Sequence, residues 1–407
     1  LSRNLSEKWY PFCRIALNGE IAQVSRIAAL STSAPLMFTP ESRVPEGGVG
    51  EWYRGAGGLR LRLGFWQPVK PARGTVFISP GRSEPIEKYY EIVRDLMARD
   101  FCVVAHDWRG QGLSARLLPD RLKCHARSAD EFLDDYQRLL DTFEDRAPKP
   151  WLMLGHSMGA ALNLATLAKG EQRILGAFFT NPMLRVKTGK HSLWSVNFQV
   201  NWQVSHGRGS DYVPELFDDP FMHTFEDDAL THDRERYAVW HEQLFACPHL
   251  AVGSPTWGWL QFALKLGEGL LLDKAKVLKK IKVPISIVCS GDDHVINKQP
   301  SKAFAKKLGK GQYVEIAGAE HEVLIEVDEY RRQAMEEFDS LADFAAPHNH
   351  QAHGASQDNH ADPGLGVAVA DIAEVASELP QEISPESLIA EAEILPDLPD
   401  PEGQKSA

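Results

Sequence analysis

Trp151-Leu152-Met153-Leu154-Gly155-His156-Ser157-Met158-Gly159-Ala160-Ala161 sets a short apolar run against a G-x-S-x-G pentapeptide, then against small residues. The run reads as a buried strand, and residues 157–169 carry a helical pattern. A serine on a sharp strand-to-helix turn presents its hydroxyl at the carboxyl edge of a sheet. Small neighbours suit that turn because strand and helix must approach closely. The same Ser157 also reads as an ordinary helix N-cap in a glycine-rich turn. The pentapeptide alone leaves both readings open.

Outward from this turn the chain alternates strand and helix patterns. Residues 75–79, 101–105, 174–180, 284–289 and 312–316 read as strands, and 87–99, 157–169 and 328–344 as helices. Residues 129–144 form a helix with Phe132, Tyr136, Leu139, Leu140 and Phe143 on one face. Residues 51–65 read as one further strand. Such alternation predicts an α/β fold, a mostly parallel central sheet with helices on both faces. Residues 183–280 break the rhythm and hold Trp194, Trp202, Trp240, Trp257 and Trp259, which predicts a helical cap insertion. The α/β core is then expected over 45–182 and 281–346, with a poorly ordered N-terminal extension over 1–44.

The net charge of -12 is concentrated at one end. Residues 347–407 hold twelve acids against Lys405, while the rest carries 44 acids and 43 bases. A near-neutral body argues against a nucleic-acid partner, and the tail reads as acidic and disordered. His348, His350, His353 and His360 inside it read as a solvated polar tract, so no metal is expected. No run of 18 apolar residues occurs, which excludes a membrane-spanning helix. Residues 1–36 lack the apolar core of a secretory signal. Five widely spaced cysteines without a C-x-x-C pair suit reduced thiols in a cytoplasm.

A nucleophilic serine needs a base, and the base an acid that fixes its tautomer. Ser290-Gly291-Asp292-Asp293-His294-Val295 puts carboxylates after one strand, and Ala319-Glu320-His321-Glu322 follows the last strand. Ser157, an Asp and His321 therefore come in the order Ser…Asp…His, each on a loop after a strand.

Together with Asp107-Trp108-Arg109-Gly110-Gln111-Gly112-Leu113-Ser114, these motifs resemble the monoacylglycerol lipase and bacterial lysophospholipase group of α/β-hydrolases, the serine aminopeptidase-like hydrolases. The resemblance covers residues 45–346. It implies an α/β-hydrolase fold, Ser157 as nucleophile, His321 as base and Asp293 rather than Asp292 as its partner. It implies an oxyanion hole from the backbone N–H groups of Arg82 and Met158. Asp107 becomes structural, holding its loop through Arg109 or backbone amides. The family's H-G-x-x-E is replaced here by Pro80-Gly81-Arg82-Ser83-Glu84. The Arg82 side chain reads either as a contact to a substrate phosphate or carboxylate, or as solvent-facing. Trp257 and Trp259, with Trp194, Trp202 and Phe262, read either as an acyl-chain channel or as cap core.

The activity implied is cleavage of carboxylic esters with an apolar acyl chain, a lysophospholipid or monoacylglycerol, through an acyl-enzyme and without a cofactor. The same triad would serve an amide or peptide hydrolase or an acyltransferase, and the fold could also serve a non-catalytic ligand-binding protein. A cytoplasmic protein touching membranes transiently through its cap is the further expectation. The oligomeric state is left open.

Overall fold

The computed structural model describes residues 33–347, apart from 217–218, 228–229 and 273, together with a short strand at 14–16. The acidic tail with its histidines and most of the N-terminal extension lie outside the described residues.

Eight strands form one sheet: β1 (Val49–Arg54), β2 (Arg60–Trp66), β3 (Gly74–Ser79), β4 (Phe101–His106), β5 (Trp151–His156), β6 (Ile174–Thr180), β7 (Ile285–Ser290) and β8 (Gly311–Ile316). Their order is β1-β2-β4-β3-β5-β6-β7-β8. β1 and β2 join antiparallel, and every pairing from β4 to β8 is parallel. β3, β4, β5 and β7 are buried at every residue, which is why they read as continuous apolar runs. Along β3, Phe77 faces the layer of α2 (Ala129–Thr142) and α3 (Ser157–Lys169), whereas Val76 and Ile78 face α1 (Tyr90–Ala98) and α9 (Asp328–Ala345). The site sits where the parallel strands end.

Between β6 and β7 the chain forms α4 (Leu193–Ser205), α5 (Arg234–Ala246), α6 (Trp257–Leu272) and α7 (Lys274–Lys280), and α8 (Lys298–Ala305) follows β7. Ser192 and Asp233 cap α4 and α5 by accepting the N–H groups of Ser195 and Arg236.

Two expectations are corrected. The single strand over 51–65 is a hairpin, because Gly57 and Gly58 take φ of 70° and 78° and turn the chain back. The end of the supposed extension packs on the body: Ala34 and Leu36 are buried, and Ala34 N–H donates to Gly50 O at 2.9 Å. The physical reason is Arg62, wholly buried on β2. Its guanidinium spans Glu87 (2.6 Å) and Asp107 (2.7 Å), and its remaining Nη1 donor reaches the Pro35 carbonyl at 3.0 Å. A buried cation needs every donor satisfied, so residues 33–38 belong to the fold.

A chain shortened to begin at Thr39 should melt at least about 5 °C below one beginning at Ser33. Calorimetry of the two measures the difference, and equal melting temperatures would show that residues 33–38 are dispensable.

Candidate active site

Ser157 leaves β5 at φ 49°, a left-handed conformation that a non-glycine residue adopts at a cost. The turn is possible because Gly155 and Gly159, two residues to either side, lack side chains. A Cβ on Gly159 would stand 2.1 Å from the Ser79 carbonyl oxygen, and one on Gly155 would stand 2.8 Å from the Ala160 Cα. The helix α3 therefore starts against the exit of β3, and Met158, in its first turn, offers an N–H that has no partner within the helix.

The structure brings the three sequence-selected side chains together. Ser157 Oγ lies 3.1 Å from His321 Nε2, and His321 Nδ1 lies 2.6 Å from Asp293 Oδ2. All three are buried. With Nδ1 protonated toward the carboxylate, Nε2 is the acceptor of the serine proton. Asp293 Oδ1 accepts the N–H groups of Val295 (2.7 Å) and Ile296 (2.9 Å). Burial alone would raise the Asp293 carboxyl, but the imidazole and these amides outweigh it and hold it below the usual range. Asp292 is exposed and does not reach the imidazole.

Asp107 stands apart from this group. It takes Arg62 and the N–H groups of Ile86 (2.9 Å) and Leu113 (2.8 Å). The backbone-amide half of the expectation is met, but Arg109 is not its partner: Arg109 pairs with Asp135 at 2.6 Å.

In the Pro80–Glu84 loop, Gly81 N–H donates to Glu84 Oε2 at 2.5 Å and Ser83 N–H donates to Gln111 Oε1. Between them the Arg82 N–H has no acceptor among the described residues. The Arg82 side chain is half-buried, donates to Gly253 O at 3.1 Å and lies 5.5 Å from the ring of Trp259. Trp259 packs against Phe262, which stacks on Phe132, and all three are buried in the main core. Trp257 lies elsewhere, in a cluster with Val200, Leu260 and Leu264 between α4 and α6.

Sequence reasoning missed a buried ion chain behind this loop. Lys88 Nζ sits 3.3 Å from Glu84 and 2.5 Å from Glu322, the residue after His321. Against the cost of burial, Lys88, His156, Tyr89 and Gly81 hold Glu84 down to about 2. Burial pushes His156 down to about 4, so it is a neutral neighbour, hydrogen-bonded to Thr180 at 2.9 Å. The i,i+4 spacing of Glu84 and Lys88 was readable, but the position of Glu322 was not. A cavity of about 330 Å³ is bounded by Arg82, Ser83, Lys88, Thr231, Trp240 and Glu322. Among the described residues no His, Cys, Asp and Glu side chains gather as a metal-ligand set.

Residues 70–328 match the family described as serine aminopeptidase, S33. The chain belongs to that family. Within it, lysophospholipase L2 of Escherichia coli (strain K12) is 28% identical over 284 residues, covering 67% of this chain and 81% of that protein. The monoglyceride lipase of Homo sapiens is 30% identical over 131 residues, 32% of this chain and 41% of that one. A soluble variant of monoglyceride lipase from Saccharomyces cerevisiae, in complex with a substrate analog, superposes with a TM-score of 0.59 at 16% identity. That match covers 76% of this chain and 99% of the yeast chain. A thermostable carboxyl esterase from Bacillus coagulans, in complex with glycerol, gives 0.59 at 16% identity, over 74% and 100% of the two chains. These structures establish the α/β-hydrolase fold of this S33 member.

The strained turn makes a stability prediction. Ser157→Gly should be more stable than Ser157→Ala by about 1 kcal/mol, since only glycine occupies positive φ freely. Gly159→Ala should be strongly destabilised or fail to fold. Denaturant melts of the three variants test the ranking, and a Gly159→Ala as stable as wild type would refute the close approach of α3 to β3.

Proposed function

We propose that the chain is a serine hydrolase cleaving carboxylic esters of a single apolar acyl chain, a lysophospholipid or a monoacylglycerol. The observation that carries the reading is the unbroken contact from Asp293 through His321 to Ser157. Ser157 Oγ attacks the acyl carbonyl as His321 Nε2 takes its proton. Asp293 keeps the imidazole in the required tautomer and balances the imidazolium that forms. The N–H groups of Arg82 and Met158 receive the oxyanion, a role supported by the absence of an internal acceptor for each. His321 then returns the proton to the leaving alcohol, and water hydrolyses the acyl-enzyme. No cofactor takes part in these steps.

The substrate class draws support from the relatives' names, lysophospholipase and monoglyceride lipase. It also draws on the cavity of about 330 Å³ beside Arg82, whose lining includes the apolar side chains of Trp240, Leu244, Val252 and Ile325, which suits an acyl chain. An amide hydrolase or acyltransferase would use the same atoms, and a binding protein would leave the serine inert.

A fluorophosphonate probe should label wild type and not Ser157→Ala. Asp293→Asn should lower kcat on p-nitrophenyl butyrate at least about 100-fold, with Asp292→Asn within about twofold of wild type. Lysophosphatidylcholine and monoolein should be turned over far faster than aminoacyl-anilides. Unlabelled wild type, or equal effects at 292 and 293, would overturn the mechanism; preference for the anilides would overturn the substrate class.

The proposal extends to where the enzyme meets its substrate. On α4, Val196, Val200 and Val204 turn inward with the Trp257 cluster, while Trp194, Phe198 and Trp202 face outward, 76%, 63% and 48% exposed. From 184 to 210 the chain holds Arg185, Lys187, Lys190 and Arg208 and no acid. An uncharged helix with an outward aromatic stripe and cationic flanks suits peripheral contact with an anionic lipid surface. Among the described residues no helix is long and apolar enough to cross a membrane. Cys102, Cys124 and Cys289 are buried and form no disulfide among the described residues, which supports a reducing, cytoplasmic setting.

Sedimentation with phosphatidylcholine vesicles containing 30% phosphatidylglycerol should capture wild type. The variant W194S/F198S/W202S should bind at least about tenfold more weakly. Unchanged binding by that variant would place the lipid contact elsewhere.

A further inference from the structure

Three loops must meet for the proposed triad to exist, and they leave three different strands: β5 for Ser157, β7 for Asp293 and β8 for His321. Between β5 and β7 in the sheet lies β6, which ends at Thr180. Its exit, Asn181-Pro182-Met183, touches all three loops. Met183 N–H donates to the Ser157 carbonyl at 3.0 Å, and Asn181 N–H donates to the Val288 carbonyl on β7 at 2.9 Å. The Asn181 side chain does the rest. Its Oδ1 accepts Ser290 N–H at 2.8 Å, and its Nδ2 donates to Ser290 Oγ at 2.8 Å. The same Nδ2 donates to the backbone carbonyl of His321.

Asn181 is fully buried and sits at φ 45°, one of four non-glycine residues at positive φ among the described residues, with Ser157 another. Strain of this kind persists only where surrounding bonds over-determine the conformation. Here they do: both amide donors and the carbonyl oxygen are engaged. Three near relatives of asparagine each lack one requirement. Aspartate tolerates the backbone but has no donors, glycine tolerates it but has no amide, and glutamine is disfavoured at positive φ.

We propose that Asn181 is the positioning residue that sets His321 and the Asp293 loop against Ser157, acting through the His321 backbone and through Ser290. Asp293 orients the imidazole ring, but the ring's origin is fixed by where the His321 backbone lies. One amide holds that backbone and the start of the acid's loop together, so neither can drift from Ser157 without breaking a bond to Asn181. This rests on Ser157 and His321 being the reacting pair.

Asn181→Asp keeps the backbone tolerance and the acceptor for Ser290 N–H while removing both donors. Asn181→Gly removes the amide and relieves the backbone. Ser290→Ala takes away one acceptor without touching residue 181. Each is compared with wild type on p-nitrophenyl butyrate, with active sites counted by fluorophosphonate titration. Asn181→Asp and Asn181→Gly should lower kcat per titrated site by about 10- to 100-fold with KM within about threefold, since sub-ångström misplacement of a base costs rate rather than binding. The rate of phosphonylation should fall in parallel, and Ser290→Ala should show a smaller loss in the same direction. A kcat per titrated site within twofold of wild type in every folded variant, whatever the melting temperature, overturns the proposal and leaves Asn181 a packing residue. Failure of wild type itself to react with the probe would instead overturn the hydrolase reading.

Discussion

The close approach of α3 to the exit of β3 is the constraint on which the rest depends. A helix whose third residue lies against the Ser79 carbonyl can be entered only through a turn at positive φ. That entry throws the Ser157 hydroxyl out over the sheet edge and leaves the Met158 N–H in an uncapped first turn. It also fixes the start of the Pro80–Glu84 loop, because Ser79 and Pro80 are the residues the helix touches. Nucleophile and both proposed oxyanion donors are thus placed by one close approach between backbone atoms.

Buried ions hold the remaining pieces. Glu84 pins Gly81 N–H on one side and, through Lys88, reaches Glu322 on the other, so the loop before Arg82 and the loop carrying His321 share one chain of charges. Trp108 Nε1–H adds a bond to the Pro80 carbonyl at 2.8 Å. With proline at position 80, the loop takes its shape from Glu84, Trp108 and Gln111, none of which involves residue 80's side chain. Such ions gain little net stability against their desolvation, but each fixes a geometry that an apolar contact would leave free to slide.

Much of this was legible in the chain. β3, β4, β5 and β7 announced themselves because strands buried on both faces are largely apolar; Ser157 and His321 came from loop position and order, and the choice of Asp293 over Asp292 from the family resemblance. What escaped depends on contacts between residues far apart in sequence. Nothing near Asp107 indicates that its cation is Arg62, 45 residues earlier on an antiparallel strand. The hairpin within 51–65 was missed although Gly57 and Gly58, both at positive φ, are turn residues. Asn181 before a proline reads as an ordinary turn residue, and its buried amide is visible only once β7 and β8 are beside it.

The tryptophans of α6 show the same limit most sharply. Trp257 and Trp259 are two residues apart, which on a helix places them about 200° apart, so sequence composition treats as equals two side chains that face opposite ways. Trp257, Leu260 and Leu264 follow one stripe toward α4, while Trp259, Phe262, Ala263, Leu266 and Leu270 follow another toward the α2 and α3 layer. Lys265 and Glu268 lie on what remains and are exposed. The helix is therefore apolar on two faces because it has two partners. Its inner face carries Trp259, beside Arg82, and its outer face packs α4 with the exposed Trp194, Phe198 and Trp202. A single helix thus stands between Trp259, beside the Arg82 loop, and the proposed lipid-facing stripe.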